Sequence, residues 1–193
     1  TGNNLSDGRN AGGSAGTRDA ALFFAGDPAS AGTTDITELY DGTSWTEVNN
    51  VLTARQSMRG CGPQTAALGF GAYNPDTPTR TEEYDGTNWT NGGALPTPFY
   101  QDRNGTAGSG IQTNAIAFGG QSPGIISATE RYDGTSWVTT ASMGTARYRH
   151  GGFGITTDSA VACGGHTGTA NTNVTEEFTP ESTAVNIADF TTS

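Results

Sequence analysis

The sequence predicts an all-β fold, a β-propeller of four four-stranded blades, and three observations carry this prediction. A six-residue segment that starts with tyrosine recurs at spacings of 44 and 48 residues. Short apolar runs that end in glycine recur in the same register, and no segment has sustained helical periodicity. Because a period of about 40 to 50 residues is typical of propellers and solenoids, residues 1–193 are predicted to form one domain with repeats at approximately 6–49, 50–94, 95–141 and 142–193.

The repeated segment reads Tyr-Asp-Gly-Thr-Ser/Asn-Trp. Its Asp-Gly pair is a strong hairpin signal, because glycine tolerates positive φ and aspartate hydrogen-bonds nearby backbone amides. We therefore expect it to join the third and fourth strands of each blade. A weaker fourth copy begins at Phe178 and lacks the tryptophan. The full copies begin at Tyr40, Tyr84 and Tyr132 and end at Trp45, Trp89 and Trp137.

Two charged positions keep the same register as this segment. A glutamate lies two residues before each aromatic residue, and an arginine precedes each apolar run. Each repeat is then predicted to contain a Gly/Ala-rich first strand after the arginine, an apolar second strand, a third strand with the glutamate, and a fourth strand from the tryptophan. The charged residues are Glu38, Glu82, Glu130 and Glu176, and Arg9, Arg55, Arg103 and Arg147.

The composition argues against several classes of partner. The net charge is −10 and all nine basic residues are arginine, so the chain lacks the basic stripe that nucleic acids or anionic membranes require. No apolar run approaches the length of a membrane span, so membrane insertion is not expected. The cysteines Cys61 and Cys163 fall at different positions of different repeats, which predicts two buried small residues rather than a disulfide framework.

The repeat resembles kelch repeats. The matching elements are the glycine pair after an apolar strand (Gly119-Gly120 and Gly164-Gly165), the Glu-x-Tyr-Asp segment and the later tryptophan. The resemblance covers nearly the whole chain and implies a ring of four-stranded blades around a central channel. It departs at Gly26 and Gly71, which lack a full glycine pair, and in the last repeat. The Ser/Thr/Asn/Gly-rich composition of the repeated segment also resembles that of repeat proteins from tailed phages of marine bacteria. This resemblance implies a virion protein.

The sequence predicts four blades but does not determine whether these four close into a ring. Kelch propellers usually have five or more blades. Four blades would therefore form either a closed four-blade ring or part of a larger or oligomeric ring. Self-association is possible in the second case, because an open arc exposes strand edges. Leu5 matches Met143 and roughly matches Leu52. Residues 1–5 are therefore expected to end an outer strand of a longer array, and residues 184–190 to form the outermost strand of the fourth blade.

The four arginines and four glutamates allow two interpretations. The arginines could form a ring at one mouth of the channel that grips an anionic sugar or carboxylate. Alternatively, each arginine could pair with a repeat glutamate and lock blade to blade. Equal numbers in fixed register favour pairing, because partly buried charges are normally paired.

The Tyr-Asp-Gly segments could be calcium loops or sugar-stacking platforms. A calcium site needs several converging carboxylates, and each loop offers one aspartate, so calcium is disfavoured. A tryptophan repeated at blade spacing is expected to pack between blades, with its indole N–H reaching a partner.

Enzymatic chemistry has little support in the sequence. Galactose-oxidase-like enzymes share the kelch ring and use copper held by two histidines and two tyrosines, but here His150 and His166 lack other typical metal ligands. There is no Gly-x-Ser-x-Gly elbow, neither cysteine has a histidine nearby, and Glu82-Glu83 alternate sides of a strand. We therefore expect no catalytic residues, no metal and no cofactor.

Function is expected in the loops, because a rigid ring can present variable connections. Besides the repeat arginines, the candidate binding residues are Tyr100, Tyr148, Arg149 and His150. The sequence predicts a non-enzymatic structural or adhesion propeller, extracellular or on a virion surface, that binds host glycans or another virion or surface protein. The alternatives are a kelch-type sugar-acting enzyme (an oxidase, or a hydrolase or isomerase) and a peptide-binding adaptor.

Overall fold

The protein is a four-blade β-propeller. The computed structural model describes residues 3–28, 32–73, 78–98, 107–122 and 124–178, and every regular element in these ranges is a β-strand. The strands form four antiparallel sheets, each lying inside one predicted repeat, and the first strands of the sheets surround a central channel. The predicted all-β class and four-blade architecture are confirmed.

Each blade is a simple meander in which consecutive strands pair. The first blade has one additional short strand, Arg9–Asn10, which pairs with the strand Ala20–Pro28 rather than with the strand that follows it. The strands of blade 1 are β1 (Arg9–Asn10), β2 (Gly13–Thr17), β3 (Ala20–Pro28), β4 (Thr34–Tyr40) and β5 (Trp45–Val48). Blade 2 contains β6 (Arg59–Cys61), β7 (Leu68–Phe70), β8 (Thr81–Tyr84) and β9 (Trp89–Asn91). Blade 3 contains β10 (Ala107–Ile111), β11 (Asn114–Ser122), β12 (Gly124–Tyr132) and β13 (Trp137–Thr140), and blade 4 contains β14 (Gly151–Phe153), β15 (Ala160–Cys163) and β16 (Thr175–Phe178).

The Asp-Gly segments form the predicted hairpins. Tyr40 faces Trp45 across the β4–β5 hairpin, and the same tyrosine–tryptophan register closes the hairpins of blades 2 and 3. The glycine of each pair has a φ of 92° to 94°, which is the left-handed backbone that glycine adopts without strain. The predicted outermost strand at residues 184–190 lies outside the described residues, as do Thr1 and Gly2.

The hydrophobic core lies between the blades rather than inside them. In the described residues it forms three clusters, one at each joint between consecutive blades. At each joint an aromatic residue of one blade packs on the second strand of the blade before it. The ring pairs are Phe24–Trp89 at 4.7 Å, Phe70–Trp137 at 5.1 Å and Phe118–Phe178 at 4.9 Å between centroids. Phe178, which stands at the tyrosine position of the fourth repeat, makes the contact with the preceding blade that the tryptophan makes at the other two joints.

Apolar residues of the linkers between blades complete these joints. At one of them, the buried residue differs from the one expected by comparing the repeats. Val51, Leu95 and Met143 are buried in the three clusters. The expected equivalence of Leu5 with Leu52 is wrong by one residue, because the neighbouring Val51 enters the core and Leu52 is 48% exposed. Both residues lie in the linker between β5 and β6, where the N–H of Val51 donates to Asp35 O of blade 1 and that of Leu52 donates to Glu82 of blade 2.

The described residues contain no helix long and apolar enough to cross a membrane. Cys61 and Cys163 are both free thiols; Cys61 is buried and Cys163 is partly exposed.

Candidate functional site

The repeated arginines and glutamates form ion pairs in three blades. The Arg9–Glu38 and Arg55–Glu82 pairs have N–O distances of 2.6 Å and 3.0 Å, and Arg147 Nη2 bonds the carboxylate of Glu176. All three arginine side chains are fully buried. Arg103, the fourth arginine, lies outside the described residues. Because these side chains are buried beside a carboxylate, they present no accessible surface to an anionic ligand.

Each glutamate also accepts a hydrogen bond from the linker that enters its blade. Glu38 accepts from the backbone N–H of Ser6, and Glu82 accepts from that of Leu52, both at 2.7 Å. The remaining bonds are Thr97 N to Glu130 at 2.8 Å and Gly144 N to Glu176 at 2.6 Å. A charge-assisted bond of this kind is roughly twice as strong as a neutral one. The carboxylates therefore fix the path of the chain from one blade to the next.

The arginine backbone belongs to the preceding blade. The carbonyl of Arg55 accepts from Gly26 N–H at 2.9 Å, and its own N–H donates to Thr34 O at 3.3 Å. Arg147 makes the same two bonds with Gly120 and Ile126 of blade 3. Each of these arginines is thus held by one blade through its backbone and by the following blade through its side chain, which is blade-to-blade pairing as the sequence predicted.

Burial changes the electrostatics of the pair in blade 2. It lowers the pKa of Arg55 to about 10, an effect that Glu82 opposes and Arg80 increases. Arg80 Nε lies 3.1 Å from the same carboxylate. Glu82 therefore balances two guanidinium groups, and Arg55 remains charged at neutral pH.

The aspartates of the Tyr-Asp-Gly loops are engaged by their own loops. Asp41 Oδ1 accepts from the N–H groups of Thr43 and Ser44, both at 2.8 Å, and Asp85 and Asp133 repeat this pattern. These backbone hydrogen bonds lower the pKa of all three carboxyl groups. The aspartates act as turn residues.

The aromatic residues of these segments pack between blades. Trp89 and Trp137 are buried, and Trp137 Nε1 donates to Thr81 Oγ1 of the preceding blade at 2.9 Å. Tyr132 Oη donates to Glu83 at 2.5 Å, and burial followed by this bond raises the pKa of Tyr132. Neither tryptophan presents a face to a ligand, whereas Trp45 of blade 1 is partly exposed.

The Tyr148–His150 segment and His166 lie together in blade 4. The rings of Tyr148 and His166 meet edge to face at 5.4 Å, and the guanidinium of Arg149 lies 5.2 Å from the Tyr148 ring centroid. His150 is buried against Phe118, and its ring nitrogens make no hydrogen bond of good geometry with the described residues, although the backbone of Phe118 lies close enough to affect the ring. Burial, and then Arg147, lower the pKa of His150 to about 4. Tyr100 lies outside the described residues.

No group of three or more His, Cys, Asp or Glu side chains that could hold a metal ion occurs within the described part of the chain. His166 Nδ1 accepts the amide of Gly168 at 2.8 Å, which uses that nitrogen inside its own loop.

The central channel forms a cavity of about 800 Å³. Its walls come from the same place in all four blades, the first strand and the start of the following hairpin. Among the described residues that line it, none is charged. Apart from Ala21, the lining residues are 14–17, 60–63, 109–111 and 152–155.

A ring of variable residues surrounds one mouth of this channel, and sequence reasoning missed it. In each blade a glycine with positive φ starts the first hairpin, and the next residue lines the cavity. These next residues are Thr17, Pro63, Ile111 and Ile155. Ile155 is 74% exposed and its neighbour Phe153 is 58% exposed. The signal in the sequence was the Gly-x pair at the end of each Gly/Ala-rich strand, where x varies while the glycine does not.

Searches of protein-family models and of curated proteins return no match for this chain.

Proposed function

We propose that this protein is a non-enzymatic kelch-type propeller that serves structure and adhesion on a virion or cell surface, as in tailed phages. It binds a neutral ligand, of which a host glycan is the leading candidate, at the variable mouth of its channel. The observation that carries this proposal is the contrast between the two sets of residues. Most of the repeated charges are engaged in joints and turns, while the described residues that line the channel are uncharged and differ from blade to blade.

The chemistry of the mouth favours a neutral ligand with both polar and apolar faces. Phe153, Ile155 and Ile111 provide exposed apolar surface, and the hydroxyls of Ser14 and Thr17 line the same cavity. Ligand sites typically combine apolar walls with a few polar groups. The net charge of −10 disfavours polyanionic ligands.

A glycan array followed by titration of the best neutral hit tests this function. We expect Phe153→Ala and Ile155→Ser to weaken binding at least about tenfold, the loss of one aromatic or aliphatic contact. Val138→Ser is the matched control, because Val138 is 55% exposed on the outer strand of blade 3. Binding that is unchanged in the first two variants, or lost equally in the control, would contradict the channel-mouth site.

A sugar-acting copper enzyme is the second candidate, and His150 is the observation that favours it. This side chain is buried, and its ring nitrogens make no hydrogen bond of good geometry with the described residues. Stoichiometric copper in the purified protein, together with its loss in His150→Ala, would establish this candidate. Retention of the same metal content in His150→Ala would eliminate it.

A further inference from the structure

The blades have two distinct faces, which the packed joints define. The leading face of a blade is turned to the blade before it and carries the tyrosine, the tryptophan and the apolar linker residue. The trailing face is turned to the next blade and carries the second-strand residues and the threonine before the repeat glutamate. At the joint of blades 2 and 3, for example, Trp137 of the leading face packs on Phe70 of the trailing face.

The leading face of blade 1 is open, meaning that the described residues cover it only in part. Leu5, Tyr40 and Trp45 are all partly exposed. Their counterparts in the other blades are at most 5% exposed. These counterparts are the linker residues Val51, Leu95 and Met143, the tyrosines Tyr84 and Tyr132, and the tryptophans Trp89 and Trp137.

The trailing face of blade 4 is open in the same way. Thr175 is exposed, whereas Thr37, Thr81 and Thr129 at the same position of the other blades are at most 1% exposed. On the neighbouring strand, Val161 and Cys163 are partly exposed. Their counterparts in blades 1 to 3 are at most 1% exposed, and these are Leu22, Phe24, Leu68, Phe70, Ile116 and Phe118.

Backbone groups at this face also lack the bonds that the other joints make. Gly26 N–H and Gly120 N–H donate to the arginine carbonyl of the next linker, but no such bond joins Gly165 N–H to a described residue. Asp35 O, Thr79 O and Ser127 O each accept from the buried linker residue, whereas the equivalent Asn173 O accepts no backbone bond from the described residues. These groups are positioned for an incoming linker.

The side chains of the two open faces match those of the joint between blades 2 and 3. There, a tryptophan N–H donates to a threonine and a tyrosine hydroxyl donates to a glutamate, through Trp137–Thr81 and Tyr132–Glu83. Blade 1 offers Trp45 and Tyr40 at the donor positions. Blade 4 offers Thr175 and Glu177 at the acceptor positions.

This match is specific to that pair of faces. At the joint of blades 1 and 2, the residue opposite Tyr84 is Leu39, which cannot accept a hydrogen bond. At the joint of blades 3 and 4, Phe178 replaces the tyrosine. The two open faces thus offer the same pair of hydrogen-bonding groups as the most polar of the packed joints, with Cys163 in place of Phe70 at the contact of the tryptophan ring.

We propose that the trailing face of blade 4 binds the leading face of blade 1 of a second copy of this chain. The described residues of these two faces belong to none of the three packed clusters. Because the hydrogen-bonding groups of one face match those of the other, the fitting partner is the complementary face of another copy. The contact is head-to-tail, and repeated head-to-tail contacts produce a closed ring or a fibre. Trp45 packs near Cys163, its indole N–H donates to Thr175, and Tyr40 donates to Glu177. This association is independent of the ligand at the channel mouth.

Sedimentation velocity over a range of concentrations tests the proposal with two blocking variants. Trp45→Arg blocks the leading face and Thr175→Arg blocks the trailing face, and each is expected to be monomeric while the unmodified chain associates. An equal mixture of the two variants retains one intact pair of faces, so it is expected to form a 1:1 dimer and nothing larger. Thr139→Arg, at an exposed position on the outer strand of blade 3, is the matched control and should associate as the unmodified chain does.

Each other outcome contradicts the proposal. An unmodified chain that stays monomeric shows that no second copy binds. Association blocked by Trp45→Arg and unaffected by Thr175→Arg shows a face that pairs with itself. A mixture that stays monomeric shows that the two faces do not meet. Thermal unfolding of each variant confirms that it is folded, and the milder pair Tyr40→Phe and Glu177→Gln, each expected to weaken association about tenfold, gives a second measurement.

Discussion

At the scale of single residues, the repeated charges hold the blades together. Arg55 is attached to blade 1 by its backbone and to Glu82 of blade 2 by its side chain. The sequence allowed this interpretation, since equal numbers of arginine and glutamate recur in fixed register. It could not show that the carboxylate also binds the linker backbone, because that contact depends on where the chain turns into the blade.

Glu82→Gln is expected to destabilise the fold by about 3–5 kcal/mol, the cost of removing one partner of a buried ion pair. The change leaves Arg55 and Arg80 without their shared carboxylate. Urea unfolding measures it, and Glu47→Gln on the exposed face of β5 is the control. A loss below about 1 kcal/mol, typical of a surface pair, would contradict the role of this pair in the joint.

Stability is expected to fall as the pH drops from about 6.5 to about 4, and His150 causes part of this fall. Its pKa is about 4 in the folded protein, because burial and the nearby Arg147 and Arg59 outweigh the opposing effects of Glu176 and the backbone of Phe118. The unfolded chain, with a pKa near 6.5, therefore binds more protons in this window, so its share of the population rises as the pH falls.

His150→Phe measures this contribution. Urea unfolding at a series of pH values should show a shallower loss in His150→Phe than in the unmodified chain, by about 2–3 kcal/mol between pH 7 and pH 4. Tyr148→Phe leaves the imidazole in place and should keep the original slope. Parallel curves for the unmodified chain and His150→Phe would show that this histidine is not buried as described.

At the scale of strands and hairpins, the sequence predicts the outer hairpins from their turn residues, but it does not predict which residues meet at the channel mouth. Asp-Gly pairs predicted the outer hairpins because both residues have a fixed role in such turns. The inner hairpins were recognisable only as Gly-x pairs. That the x residues of four blades meet at one channel mouth follows from the arrangement of the sheets, which no single repeat specifies.

Gly110→Ala is expected to destabilise the protein by about 3 kcal/mol or more through backbone strain and a steric clash. Gly110 has a φ of 114°, and a Cβ atom there would lie 2.2 Å from Asn114 O. Gly124→Ala is the control, because it has no atom within 4 Å of an added Cβ. Thermal unfolding of both variants makes the comparison, and equal melting temperatures would refute the assigned hairpin geometry.

At the scale of the whole molecule, the described residues of the four blades contain three packed joints and two open faces. The number of repeats and their order were evident from the sequence, as was the expectation that ring closure is uncertain. The open faces were not evident, because Tyr40, Trp45 and Thr175 are the same residue types as their buried counterparts. Only their exposure in the folded chain distinguishes them.

The mass of the native protein in solution tests the account of these faces most directly. Sedimentation equilibrium of the unmodified chain should give a mass above the 19.8 kDa of one copy. That mass should rise with concentration and return to one copy in Trp45→Arg. A value of one copy for the unmodified chain at every concentration would contradict the account.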